Sequence, residues 1–226
     1  MQQDNKNTAS ITQLRDALNE GNLEKVKKII AAGADVNAMG KYKQTPLCMV
    51  SWKANTELVK ILLAHGADPN IKCANGDTAL FGVQTPEIAR LLIKAGADVN
   101  VKTIHGETPI AWASTKEIAD ILLQAGAETT PEIRLLLSCR FGRTEEVKAL
   151  IAQGVNVNTP VGPFGSTPLA WAANAQIARL LIDAGADVNA KNKFGETPLS
   201  IAKEWIDNPE NKKEIIDLLK AAGAEE

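Results

Sequence analysis

The residues able to do chemistry are few: two histidines, His65 and His105, and three cysteines, Cys48, Cys73 and Cys139. A general base needs a histidine beside a nucleophile, and a zinc site needs Cys and His at ligand spacing. Neither pattern occurs. His65 stands directly before Gly66, a helix C-terminal place where it interacts favourably with the dipole, and His105 precedes Gly106 in a turn-like stretch. The cysteines fall at unrelated spacings and read as three separate packing thiols in a reducing compartment. Asp35, Asp98 and Asp187 recur once per sequence block. Recurrence in phase marks structure, whereas a catalytic pair would break the repeat. Glu107 and Glu196 precede helix openings, where the helix dipole favours negative charge. No phosphate-cradling glycine loop is present. The sequence therefore offers no catalytic, cofactor-binding or metal-binding residue, and the chain is expected not to be an enzyme.

The elements that carry these residues belong to a chain of 226 residues, 45% hydrophobic, with 25 Lys and Arg against 27 Asp and Glu. That balance argues against a nucleic-acid partner, because such binding depends on a basic face that releases counterions. The start, Met1 to Asn7, is polar, and no apolar run approaches the length of a membrane span. A soluble, cytoplasmic monomer without a membrane partner is expected, although a leader removed beforehand would leave no trace.

Repetition decides the organisation. Glycines that can end a helix in the left-handed conformation fall at Gly33, Gly66, Gly96, Gly126, Gly154, Gly185 and Gly223, a spacing of about 30 residues. Helix openings recur at Thr45-Pro46-Leu47, Thr78-Ala79-Leu80, Thr108-Pro109-Ile110, Thr167-Pro168-Leu169 and Thr197-Pro198-Leu199, with Thr as N-cap and Pro in the first turn. The second helix of each repeat carries apolar residues at i, i+3 and i+4, as in Ile88, Leu91, Leu92 and Ile177, Leu180, Leu181. One repeat cannot bury such a face alone, so the repeats must stack.

With Gly-Ala-Asp-Val-Asn at 33–37, 96–100 and 185–189, Gly66-Ala67-Asp68-Pro69-Asn70, and the Thr-Pro-Leu openings in fixed phase, the chain resembles the ankyrin-repeat proteins. The resemblance spans seven repeats. It implies an all-α solenoid of stacked antiparallel helix pairs with β-hairpin fingers, which binds other proteins on its concave face. Residues 1–10 read as a polar tail and 11–226 as one solenoid, with a seam near 127–132 between two halves.

The departures from this pattern are the individual features. The histidine that usually follows Thr-Pro-Leu is replaced by Cys48, Phe81, Ala111, Ala170 and Ser200, so its hydrogen bond is missing. Three repeats lack about one helical turn, which places a shortened connection between their helices. After Gly126 the finger is five residues short, with the next helix opening set near Ile133, and the finger through Phe164 is one residue long. Lys43 stands where other fingers carry Gly76, Gly106, Gly165 and Gly195, with glycine moved to Gly40, which predicts a reshaped tip.

The partner surface implied by the resemblance maps to Lys41, Tyr42, Gln44, Trp52 and Lys53 in the first stretch, then Asn75, Ile104 and His105, then Phe164, Lys193 and Phe194. Thr85, Thr115 and Asn174 are the matching inner-helix positions. Aromatic side chains at tips suit interface anchors. Trp112 and Trp171 occupy core positions. Lysines along the finger row hint at a partner with an acidic surface. Three functions fit: a protein-binding module, an inhibitor or immunity-type regulator that occludes an enzyme or toxin, and a structural tether.

Overall fold

The computed structural model describes residues 2–40, 42–206 and 208–225, so Lys41 lies outside the described residues. These form eleven α-helices and two 3₁₀ turns, with no strand among the described residues. The chain divides into two compact units, Met1–Glu128 and Thr129–Glu226. The first contains α1 (Gln2–Glu20), α2 (Leu23–Ala31), α3 (Pro46–Trp52), α4 (Thr56–Ala64), α5 (Pro86–Lys94), a 3₁₀ turn at Pro109–Trp112 and α6 (Lys116–Gln124). The second contains α7 (Pro131–Arg140), α8 (Thr144–Ala152), a 3₁₀ turn at Pro168–Trp171, α9 (Ala175–Asp183), α10 (Pro198–Trp205) and α11 (Pro209–Ala221). Helix α1 runs back to Gln2, through the stretch read from sequence as a tail.

The apolar periodicity produces the core as expected. Leu58 and Leu62, Ile88 and Leu92, Ile118 and Leu122, and Ile177 and Leu181 are all fully buried, four residues apart on their helices. Each such side chain contributes roughly 1.5–3 kcal/mol by leaving water. Ala89, Ala119 and Ala178 are buried between them and let neighbouring helices approach. On the outer wall of the first unit Lys60 pairs with Glu87 at 2.9 Å and Arg90 with Glu117 at 2.8 Å, exposed contacts that add little stability.

Asparagine joins one repeat to the next. Within the first unit the Asn37, Asn70 and Asn100 amides donate to the carbonyls of Gly66, Gly96 and Gly126, while their oxygens accept from the N–H groups of Asp68, Asp98 and Glu128. The second unit repeats this from Asn158 to Gly185 and Asp187, and from Asn189 to Gly223 and Glu225. Asp35, Asp68, Asp98 and Asp187 each accept from the backbone two residues on, which fixes the turn that presents the asparagine. Every helix-stopping glycine has positive φ, from 80° to 91°. Thr130, at the asparagine position after Gly126, instead caps α7 by accepting from Ile133 N–H at 3.3 Å. The helix therefore opens at Pro131 and not near Ile133.

The lost turn lies within the first helix of the short repeats, not in the connection between helices. Residues 79–82 form a bare turn, and Pro109–Trp112 and Pro168–Trp171 make one 3₁₀ turn each. The hydroxyls of Thr78, Thr108 and Thr167 are left buried without a hydrogen-bond partner. Where the first helix is long enough the threonine does cap it: Thr45 accepts from Cys48 N–H, and Thr197 from Ser200 N–H, both at 3.2 Å.

Candidate protein-interaction surface

The fingers are tight turns and not paired β-hairpins. They are closed by a backbone bond between the arms, such as Thr103 N–H to Glu107 C=O at 2.9 Å or Asn192 N–H to Glu196 C=O at 3.0 Å, with a second bond inside the turn. The arms are too short for a ladder. Among the described residues a single bridge, Val161 with Ser166, occurs in the finger that is one residue longer. Lys43 takes positive φ, 51°, as the glycines of other fingers do, and Gly40 and Gln44 close the first finger with the same backbone bond, so the expected reshaping is not seen in these described residues. The guanidinium of Arg15 lies against Gly40, at the place a Cβ would take.

Neighbouring tips are joined backbone to backbone. In the first unit the Asn75 carbonyl accepts from Ile104 N–H at 2.9 Å, leaving the Ile104 side chain 70% exposed beside His105. Tyr42 is 66% exposed. Gln44 and Trp52 are half-buried, with the Trp52 ring beside Gly82. Lys53 donates to Asn19 Oδ1 at 2.7 Å and so belongs to the packing of α1 against α3. Thr85, Thr115 and Asn174 do not line an inner-helix surface. They are the N-caps of α5, α6 and α9, because the first helix of those repeats has shrunk to a turn.

In the second unit the sequence-derived residues come together. Lys193 N–H donates to the Phe164 carbonyl at 2.9 Å, its ammonium donates to the Pro163 carbonyl, and its stem lies over Gly165. Phe194 follows, 70% exposed, with its ring centroid 5.9 Å from that of Phe164. Phe164 also stacks on Trp171 at 6.1 Å, with 24° between the planes. The guanidinium of Arg140, at the end of α7, sits 4.7 Å from the centre of the Trp171 ring, a cation–π contact. Asn192 sets the finger: its oxygen accepts from Phe194 and Glu196 N–H, and its amide donates to the Glu196 carboxylate at 2.8 Å. Arg140, Phe164, Trp171, Asn192, Phe194 and Glu196, with Ser166 and Ile201, line a groove of about 370 Å³.

The groove corrects one reading and adds a residue. Trp171 is half-buried and forms the groove wall, not core, because the 3₁₀ turn that carries it is too short to bury it. Trp112 is likewise half-buried, its indole N–H donating to Glu107 at 3.2 Å and its ring meeting Phe81 edge-on. Arg140 has no sequence signal, since it falls in the irregular repeat after Gly126. Burial pushes its pKa down. Among the described residues no three His, Cys, Asp or Glu gather as metal ligands, and no helix is long and apolar enough to cross a membrane. His65 Nδ1 lies 2.8 Å from the Ile61 carbonyl at the end of α4. The cysteines are not all separate: Cys48 and Cys73 bring their sulfurs to 2.8 Å.

Comparison with known proteins places these features in context. A family model described as ankyrin repeats, in three copies, matches residues 14–103 and 135–225. The chain is 39% identical over 75 residues to an ankyrin repeat protein of Rickettsia bellii, covering 30% of this chain and 45% of that protein. It is 28% identical over 228 residues to the ankyrin repeat protein YahD of Escherichia coli K12, covering 92% of this chain and 94% of that one. The crystal structure of the human ASB11 ankyrin repeat domain matches with a TM-score of 0.57 at 25% identity, over 94% of this chain and 98% of that domain.

Proposed function

The chain belongs to the ankyrin-repeat proteins, and we propose that it is a non-enzymatic binding module that holds an extended segment of a partner protein in the groove of its second unit. The observation that carries this reading is the convergence of Phe164, Trp171 and Phe194 around one half-buried guanidinium. Exposed aromatic side chains set round a cavity are the usual anchors of interfaces, since they bury large area at little conformational cost. The partner side chain that fits is large and apolar, entering between the three rings. A carboxylate beside it would lie along the groove wall that carries Arg140, whose positive charge favours an acidic neighbour. This chemistry gives a specific form to the acidic partner suggested by the finger lysines. Tyr42, Gln44, Trp52, Asn75, Ile104 and His105 offer a second, more dispersed contact surface in the first unit.

Selection from a displayed random-peptide library on the immobilised chain tests the proposal. Binders should be enriched in a large apolar residue adjacent to Asp or Glu, and should be lost on a Phe194→Ser variant, whose exposed position leaves folding intact. Binders without that signature, or retained by Phe194→Ser, would contradict it.

A further inference from the structure

The buried thiols of the first unit lie where a covalent link between consecutive repeats can form. Cys48 is on α3, three residues beyond the capping Thr45, and is fully buried. Cys73 opens the turn of the following finger, where its N–H donates to Asp77 C=O at 2.7 Å and its own carbonyl accepts from Gly76 N–H. The equivalent residues of other fingers use their side chains on their own turn: Thr103 accepts from His105 and Glu107 N–H, and Asn192 from Phe194 and Glu196 N–H. Cys73 instead directs its sulfur at Cys48, 2.8 Å away and 25 residues earlier in the chain. Cys139, in the second unit, has no part in this pair.

We propose that Cys48 and Cys73 are an oxidation site, converted by hydrogen peroxide into an intramolecular disulfide that ties the finger to α3. The Cys73 thiolate attacks the O–O bond, takes one oxygen as a sulfenic acid and releases the other as water after protonation. Cys48 sulfur then displaces that oxygen as a second water, so two thiols and one peroxide give one disulfide and two waters. The sulfurs are oxidised and the peroxide oxygens reduced. Cys73 is the attacking group because it is 7% exposed while Cys48 is sealed. The Cys48 S–H and then Thr45 hold its pKa below the ordinary thiol value, despite burial. The link closes a loop that is free in the unfolded chain, which favours the folded state. Through the bond from Ile104 N–H to the Asn75 carbonyl it also fixes the tip that presents Ile104. Oxidation would thus stiffen the finger row of the first unit.

The test uses the full chain, reduced, freed of reductant and treated with stoichiometric peroxide. After denaturation the free thiols are counted with a maleimide and the linked peptides mapped by mass spectrometry. The account expects two thiols lost, a mass lower by two hydrogens, Cys48 joined to Cys73, and full reversal by dithiothreitol. A Cys139→Ser variant should form the same Cys48–Cys73 link with loss of the same two thiols, and the oxidised chain should melt at higher temperature than the reduced one. Retention of all three thiols, overoxidation of Cys73 without a link, or a link to Cys139 would overturn the proposal.

Discussion

The side-chain amide of Asn70 donates to the carbonyl of Gly96 at 2.8 Å, and its oxygen accepts from the N–H of Asp98 at 2.7 Å, so one residue ties two successive repeats. Asn70→Ala removes both bonds and leaves the end of the next helix with fewer partners. It should lower stability by about 1–2 kcal/mol, read as a shifted urea midpoint. Asn75→Ala, at an exposed tip that meets Ile104 N–H through its backbone carbonyl, should change it little.

The buried threonines separate two roles for one sequence motif. Thr45→Val should cost about 1 kcal/mol, because its hydroxyl caps α3. Thr108→Val should be neutral or stabilising, since its hydroxyl is buried without a partner and the methyl replaces it at equal volume. Thermal melts of the two variants beside wild type decide the point. Equal losses would show that the hydroxyl of Thr108 is in fact satisfied.

Among the described residues two non-glycines hold left-handed backbone, Lys43 at φ 51° and Ala54 at φ 58°. Gly21 and Gly142 occupy the position equivalent to Ala54, and Gly76 that of Lys43, all at positive φ. The strain is roughly 1–2 kcal/mol per residue, partly offset by the greater unfolded freedom of glycine. Lys43→Gly and Ala54→Gly should each raise stability by up to about 1 kcal/mol in denaturant titration, whereas Gly66→Ala should lower it.

Much of this architecture is legible because the repeat states it seven times. The helix-stopping glycines, the threonine openings and the i, i+3, i+4 faces each follow from a local preference, and stacking multiplies a consistent signal. What the sequence hides lies where the repeat is altered. Trp171 sits at a position that is core in a full helix, and losing a turn moves it to the surface, which alignment to a longer repeat does not reveal. Arg140 belongs to the repeat with no finger. Cys48 and Cys73 are 25 residues apart, and their meeting depends on how one finger lies over the preceding helix. Their phase was the available clue, one thiol just inside a helix opening and the other at the start of the next turn.

Burial raises the Cys139 thiol to about 12 from its ordinary 9.0. The unfolded chain therefore releases this proton above pH 9 while the folded chain keeps it, so the unfolded state binds fewer protons and stability falls as pH rises from about 9 to about 12. Cys139→Ala should be less stable near neutrality, through the lost packing, yet should show a shallower decline by as much as about 1.4 kcal/mol per pH unit. Denaturant midpoints of both chains across that range provide the check, and parallel declines would show the thiol to be accessible.

Phe164, Trp171, Phe194 and Arg140 form the proposed binding socket of the second unit. Titration calorimetry of a selected apolar-acidic peptide against wild type, Phe194→Ala, Arg140→Gln and the Tyr42→Ala, Trp52→Ala double variant tests it most directly. The account predicts that Phe194→Ala weakens binding about thirty-fold, the scale of a lost aromatic anchor of about 2 kcal/mol. Arg140→Gln should weaken peptides that carry the carboxylate more than those that lack it, and the double variant should bind as wild type does. Undiminished affinity for Phe194→Ala, or a loss confined to the double variant, would contradict it.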